Sequence, residues 1–230
     1  MAPKAIISYD DTPNDHDALM LARVLADAGI ALMLAYVRHT TEDERERERL
    51  EEHEAEALLE RGARTLGDLE VERRVVLSGS TAEGLSWLAE QEQAEIIVFG
   101  SDYRTAAGHV SPQSSAQALL EGGPSAIAIA PANYRSERAA TFGRVGLLAS
   151  PGDDAARETA RDLAASLRAR VTEDEPHVDL LVVGSRPEAP AGRVMISGSA
   201  QNEIENAGSP VLVVARGAPV RFPVVTEAAS

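Results

Sequence analysis

Two places in this chain hold residue types that could do chemistry. The first is Asp10, which follows an apolar run from Ala5 to Tyr9. A carboxylate there could accept hydrogen bonds from a sugar hydroxyl or an amine. The second is the stretch from Gly100 to Ser115. Gly100 and Ser101 open it, Gly108 lies inside it, and Ser114 and Ser115 stand at the start of a predicted helix. Glycines let backbone N–H groups approach a phosphate, and a helix N-terminus adds partial positive charge. Ser114 and Ser115 could donate hydroxyls, and Arg104 and His109 are the cationic groups of the loop. The same residues have a plainer reading. A glycine at a strand end permits a turn, and Asp10-Asp11-Thr12 caps a helix. Spacing alone leaves both readings open.

Composition removes other chemistry. The 230 residues include no cysteine, and 22 Lys and Arg against 37 Asp and Glu give a formal net charge of −15. Thiol catalysis, disulfides and cysteine-held metals are therefore excluded. An acidic surface repels phosphate backbones, so no nucleic-acid partner is expected, although a local basic pocket for a small phosphate ligand stays open. No apolar run is long enough to span a membrane, and the apolar stretch before Asp10 is too short for a signal peptide. The expectation is a cytoplasmic protein with no membrane partner. The phosphate-loop pattern Gly-x4-Gly-Lys-Ser/Thr, the dinucleotide pattern Gly-x-Gly-x-x-Gly and the nucleophile elbow Gly-x-Ser-x-Gly are all absent. His16, His39, His53, His109 and His177 are scattered and form no His-Glu-x-x-His. Asp10-Asp11 and Asp153-Asp154 flank predicted helix starts, where negative charge is favoured on structural grounds. No catalytic or metal-binding residue is assigned.

The elements that must position these groups read as alternating strands and helices. Thr12 is a predicted N-cap, with Pro13 at the first helical position and Asp15 three residues after the cap. Ala18, Leu21, Ala22 and Leu25 recur at helical spacing, Gly29 closes the helix, and a second apolar run covers 30–37. Residues 41–62 alternate in charge sign and read as a solvated helix face rather than an interaction tract. A third strand is predicted over 71–77 and a helix over 81–91, where Trp87 beside Leu85 and Leu88 is expected to pack. A buried strand over 95–100, a Gly/Ser loop, a helix near 113–122 and a strand over 126–130 follow. Residues 132–142 are polar and read as a linker.

The pattern then restarts. Gly100-Ser101 matches Gly184-Ser185, Gly108 matches Gly192 and Ser115-Ala116-Gln117 matches Ser199-Ala200-Gln201, all at an offset of 84. Earlier in the repeat, Pro13 matches Pro151 and Leu25-Ala26 matches Leu163-Ala164 at an offset of 138. Ser150-Pro151 thereby repeats the Thr12-Pro13 device. The drop between offsets means that the second copy lacks about 54 residues, covering the charged helix, the third strand and much of the third helix.

These residues carry a resemblance. Ile-Ile-Ser-Tyr-Asp-Asp-Thr-Pro, a strand ending Phe-Gly-Ser, Ser-Ser at a helix start, and Val-Val-Gly-Ser-Arg running to Pro-Val-Leu-Val-Val over 182–214 resemble the universal stress protein family over nearly the whole chain. The resemblance implies an α/β fold with a parallel five-stranded sheet flanked by helices, in tandem with a truncated second copy. It divides the chain into a complete domain at 1–131, a linker at 132–142 and a truncated domain with a C-terminal tail at 143–230. Some members bind ATP through Gly-x2-Gly-x9-Gly-Ser/Thr together with an Asp after strand one. Asp10, Gly100 and Ser114 match that pattern, while Tyr103 and Gln113 stand where its second and third glycines belong. In the second copy Leu148 replaces Asp10 and Pro187 replaces Tyr103. Proline has no N–H to offer a phosphate.

The resulting expectation is a non-enzymatic stress-response or regulatory protein that works through assembly or contacts with a protein partner. Its nucleotide motif is degenerate, built on Asp10, Gly100, Ser101, Gly108, Ser114 and Ser115. The alternative is an ATP- or AMP-binding sensor using the first cleft, with a weak nucleotide or adenosine-like ligand. The last strands of the two copies are expected to pair antiparallel, a homodimer is expected, and the tail 220–225 is expected to help cover the truncated copy.

Overall fold

Short apolar runs separated by amphipathic stretches fold here into alternating strands and helices. The computed structural model describes residues 3–39, 47–136, 142–173, 175 and 177–223, with backbone alone over 47–52. The first half builds β1 (Lys4–Ser8), α1 (Pro13–Asp27), β2 (Ala31–His39), α2 (Arg47–Thr65), β3 (Val71–Ser78), α3 (Thr81–Glu92), β4 (Ile96–Gly100), α4 (Ser114–Leu120) and β5 (Ala126–Ala130). The second half builds β6 (Arg144–Leu148), α5 (Asp154–Ser166), β7 (Arg170–Thr172), β8 (Leu180–Gly184), α6 (Gly198–Asn206) and β9 (Val211–Val214).

These strands join one nine-stranded sheet in the order β3-β2-β1-β4-β5-β9-β8-β6-β7. The fold is thus α/β, with a sheet larger than five strands. Every pairing is parallel except the central one, where β5 runs antiparallel to β9 with Ala128 opposite Leu212. The last strands of the two halves therefore meet as expected. Around that seam the second half repeats the order of the first, without counterparts of α2, β3 and α3. Because the two halves run in opposite directions, the carboxyl ends of their strands lie at opposite ends of the sheet.

β4 (Ile-Ile-Val-Phe-Gly) and β5 (Ala-Ile-Ala-Ile-Ala) are buried throughout, as continuous apolar strands covered on both faces must be. Alternate residues of each strand feed two cores. Ile7, Leu32, Leu34 and Val98 pack under α1, α2 and α5, with Leu21, Leu59 and Ala156. Ile6, Met33, Ile97 and Phe99 pack under α3, α4 and α6, with Leu85, Leu119 and Ile204. The α1 cap forms as predicted, with Thr12 and Asp15 exchanging both capping-box bonds.

Several local expectations are corrected. Ser150-Pro151 does not start α5. Asp153 caps it, accepting the Ala156 N–H at 3.2 Å, because Gly152 turns the chain at φ +82° first. Trp87 does not pack inside but stands 56% exposed, since α3 lies at the sheet edge and Trp87 faces outward beside β3. β7, only three residues long, was not anticipated. The described part of the tail packs on α5 of the shortened half and on α1 together. Val220 and Phe222 join the core under α1 and α5, and the Val220 N–H donates to Thr159 Oγ1 at 2.9 Å. Val224 and Val225 lie outside the described residues, as do 41–46 of the charged tract and 137–141 of the predicted linker. Residues 132–136 of that polar stretch are held against α1, with a 3-10 turn at Tyr134–Ser136.

Candidate functional site

β1 and β4 are sheet neighbours, so their carboxyl ends bring the Asp10 turn beside the Gly100 loop. The Asn14 side chain joins them, donating to the Ser101 carbonyl at 2.7 Å. Within the turn, buried Asp15 takes N–H bonds from Asp10 at 3.0 Å and Thr12 at 2.9 Å, and the Thr12 hydroxyl at 2.7 Å. Burial pushes its carboxyl up, and these three donors act against that.

Asp11 sits in the left-handed region at φ +62°, a conformation that costs energy outside glycine. Its carboxylate accepts the Tyr9 hydroxyl at 2.7 Å and Arg61 Nε and Nη2 at 2.9 Å each, and His16 Nε2 lies 3.4 Å away. The Tyr9 hydroxyl first, then Arg61, hold its carboxyl below the ordinary carboxylate range. Burial and Asp11 together push the Tyr9 phenol up. The cluster fastens α2 to the corner between β1 and α1.

Asp10 differs from both neighbours. Its side chain is open to solvent and has no hydrogen-bond partner among the described residues. Enough protein still surrounds the carboxyl to push it up to about 6; Asp15 adds to the shift and His39, at the end of β2, opposes it. Asp10 is therefore an exposed acceptor beside the Gly100 loop, with no side-chain partner among the described residues.

The Gly100 loop is closed on itself. Any side chain at Gly100 would run into the Asn14 carbonyl, so this glycine serves close packing of β4 on α1. Ser101 is buried. Its hydroxyl donates to the Ala130 carbonyl at 2.7 Å and accepts the Ser111 N–H at 3.2 Å. Asp102 N–H donates to Ser111 O at 2.8 Å, Thr105 N–H to Asp102 O at 3.0 Å, Gly108 N–H to Ala132 O at 2.8 Å and His109 N–H to Ala106 O at 3.1 Å. The Arg104 N–H is taken by the Asp102 carboxylate at 3.0 Å. Gly108 adopts φ +77° with open space around it. Ser114 is exposed and Ser115 half-buried at the start of the seven-residue α4, and Gln113, its N-cap, makes no side-chain capping bond.

The second half repeats these bonds. Ser185 Oγ donates to Val214 O at 2.7 Å and accepts Met195 N–H at 3.2 Å, while Arg186, Ala189, Gly192 and Arg193 bond as Asp102, Thr105, Gly108 and His109 do. Every donor and acceptor is displaced by the same 84 residues. A cleft of about 510 Å³ opens there between Ser150–Ala155 and Ser185–Ala191, with Arg216 on its wall.

The structure therefore brings Asp10, Gly100 and Ser101 to one end of the sheet, at the carboxyl ends of β1 and β4, and gives Gly100 and Ser101 structural work. Tyr103, at a position where glycine was expected, does not fill the loop. It points outward, 72% exposed, with the Arg104 guanidinium 4.9 Å from its ring centre. Sequence reasoning missed Asp11, Arg61 and buried Asp17, which grips Arg135. An acid set inside the apolar stripe of α1 was the available signal for Asp17.

The universal stress protein family model matches residues 1–131. The chain belongs to the universal stress protein family. No curated protein matches it. A universal stress protein from Archaeoglobus fulgidus DSM 4304 is similar in structure at a TM-score of 0.71 and 16% identity, covering 93% of this chain and 98% of that one. A functionally unknown protein from Pseudomonas aeruginosa PAO1 is similar at a TM-score of 0.59 and 14% identity, covering 94% and 93%. A universal stress protein in complex with cAMP also matches, at a TM-score of 0.37 and 20% identity over 43% of this chain and 75% of that one. At these identities the neighbours establish the universal stress protein fold and nothing finer. Among the described residues no helix is long and apolar enough to cross a membrane.

Proposed function

We propose that this universal stress protein is a non-enzymatic regulatory member that acts through assembly and protein contacts, with a phosphate cradle that no longer grips. One observation carries the reading: the loop N–H groups of Asp102, Arg104, Thr105, Gly108, His109 and Ser111 are already bonded within the protein. A phosphate would have to displace bonds already formed, and the net gain from such an exchange is small. The division into a complete copy at 1–131, a linker at 132–142 and a shortened copy at 143–230, and a cytoplasmic location, belong to the same proposal.

The second reading is a weak ATP, AMP or adenosine-like ligand in the first cleft. Asp10 favours it, because its open, unpartnered carboxylate suits a ribose hydroxyl or an adenine amine better than a phosphate. Calorimetric titration with ATP and magnesium, AMP and adenosine separates the two. The expected result is no tight ATP binding, with any heat shared by adenosine and lost in Asp10→Ala. A micromolar or tighter ATP complex that Asp10→Ala abolishes would overturn the primary reading.

A further inference from the structure

The segments that follow β5 and β9 turn at matched points and are then fastened by different chemistry. Asn133 after β5 and Gly217 after β9 are related by the 84-residue offset, and both sit in the left-handed region at φ +67°. Beyond the turn each segment runs to a buried polar side chain on the first helix of its own half. In the first half that side chain is Asp17, a carboxylate that accepts two N–H groups and the Arg135 guanidinium. In the second half it is Thr159 of α5, a fully buried neutral hydroxyl that accepts the Val220 N–H at 2.9 Å. Hydrogen bonds to an ionised acceptor are roughly twice as strong as neutral ones, so the second fastening is the weaker.

Residues 219–223 lie in their groove as a bound peptide does. None of them belongs to a strand or helix. The Val220 and Arg221 N–H groups both donate to side chains, to Thr159 and to the Glu95 carboxylate at 3.1 Å. Val220 and Phe222 are buried in the core under α1 and α5, and Pro223 closes on Gly29, where any side chain would run into its ring. Arg221, between the two anchors, stays mostly exposed and meets an acidic wall. Glu158 Oε2 lies 2.7 Å and Asp162 Oδ2 3.5 Å from its guanidinium. Glu158 and Asp162 stand four apart on α5, a spacing at which like charges repel. With Glu95 of the first half they make a groove suited to a cation between two apolar anchors.

We propose that residues 219–223 are a strap that leaves this groove without unfolding the sheet, and that the groove then takes an extended segment of a partner protein with the same order: apolar, arginine, aromatic, proline. The occupant's chemistry is read from the strap that fills the groove here. Thr159 is the feature that asks for a main-chain donor. It stands in the apolar stripe of α5 among Ala156, Ala160 and Leu163, so a departing strap leaves its hydroxyl without an N–H that only another extended segment restores. The three carboxylates ask for the arginine. Proline at 219 and 223 fixes φ and lowers the entropy that such a segment gives up on docking. The inference rests on the reading that this protein works through protein contacts, and it gives those contacts a surface.

Two measurements on the full chain test it. In the wild-type chain, the Val220 amide should exchange with deuterium at least about tenfold faster than the amides of β9, because the strap opens while the sheet stays. Equal protection, with all of them exchanging only on global unfolding, overturns the proposal. A labelled peptide of residues 218–223 should bind the chain carrying Val220→Asp and Phe222→Asp, as fluorescence anisotropy reads it, and bind wild type at least about tenfold more weakly, because the strap is an intramolecular competitor. Adding Thr159→Val should weaken that binding at least about fivefold, and a peptide carrying Arg221→Glu at least about tenfold. Far-UV circular dichroism checks the fold. A double variant that does not fold shows the strap to be core rather than ligand and overturns the proposal. So does a folded one with no saturable binding at about 1 mM peptide, or binding indifferent to both changes. Sedimentation should give a mass that Phe222→Asp leaves unchanged, and a dimer dissolved by Phe222→Asp would make the occupant a second copy and overturn the partner segment. None of these readouts touches the Asp10 cleft, so a tight ATP complex would overturn the nucleotide reading and leave this groove standing.

Discussion

Replacing Asp17 tests whether the segment after β5 is fastened or merely connects. Asp17 lies in the middle of α1 with no exposed surface. Its carboxylate accepts the Asn133 N–H at 2.9 Å, the Arg135 N–H at 2.8 Å and Arg135 Nη1 at 2.9 and 3.0 Å. Hydrogen bonds to a charged group contribute roughly 1.5–3 kcal/mol each, and breaking one partner of a buried pair costs about 3–5 kcal/mol. The lower part of that range applies here. The Arg135 side chain is 38% exposed, and water can rehydrate it once Asp17 is gone. Asp17→Ala should therefore cost about 2–4 kcal/mol. At about 2–4 °C per kcal/mol for a chain of this size, the melting temperature should fall by roughly 5–15 °C. Arg135→Ala should cost less, since the carboxylate keeps two backbone donors, and the double variant should cost less than the sum of the two singles. Urea unfolding followed by circular dichroism measures all three. A loss under about 0.5 kcal/mol for Asp17→Ala would put the contact in the class of weak surface pairs and refute this account.

Gly100→Ala should be the costlier of two matched substitutions, because its new methyl meets the fixed Asn14 carbonyl, whereas that of Gly184→Ala meets the movable Asp153 carboxylate. Overpacking of this kind costs about 1–3 kcal/mol, so chemical denaturation should place Gly100→Ala lower by about 1 kcal/mol or more, and equal losses would show that the two strand ends yield alike. Asp10 should titrate near 6 by carbon-detected NMR. With the folded value raised above the ordinary 3.8, the protein loses stability as pH rises between about 4 and 6, and Asp10→Asn should flatten that slope; a midpoint near 4 would contradict it. Residues 143–230 expressed alone should show no cooperative unfolding as a monomer, and a sharp monomeric transition would show that they need no support from the first half.

What the sequence makes legible here is whatever depends on local pattern. β4 and β5 announce themselves as unbroken apolar runs, and Thr12-Pro13 with Asp15 announces a capped helix. The truncated repeat is legible because glycines and serines recur at fixed offsets. What escapes depends on distant partners or on backbone alone. Arg61 lies in a helix of alternating charges, and nothing local distinguishes it from arginines that only meet water; its partner Asp11 is 50 residues away. Trp87 stands among leucines, and the pattern cannot say that the flank it faces is a bare sheet edge. Four of the six loop bonds that occupy the would-be phosphate donors join two main-chain atoms, which no side-chain pattern reports. Tyr103 stands where the family pattern has a glycine. It turns outward onto Arg104, and the closure comes from the backbone instead.

The shortened second half depends on the first for its core. In the first half, α3 covers its face of the sheet with Leu85 and Leu88. Among the described residues of the second half no such helix stands over β6. Leu148 remains 36% exposed, and a cleft of about 310 Å³ lies over Leu148, Val178 and Leu181. A half so thinly covered must borrow its core. Val183, Val194, Ile204, Val211 and Val213 lie in one cluster with Ile97, Phe99, Ile127 and Ile129 of the first half. The loop after β8 makes the connection directly, since the Val194 N–H donates to the Gly123 carbonyl at 3.0 Å and the Ile196 N–H to the Leu120 carbonyl at 3.3 Å. The loop after β8 is thereby part of the joint between the halves. Disturbing that loop would loosen the joint, so the shortened half holds its fold through the pairing and not through a core of its own.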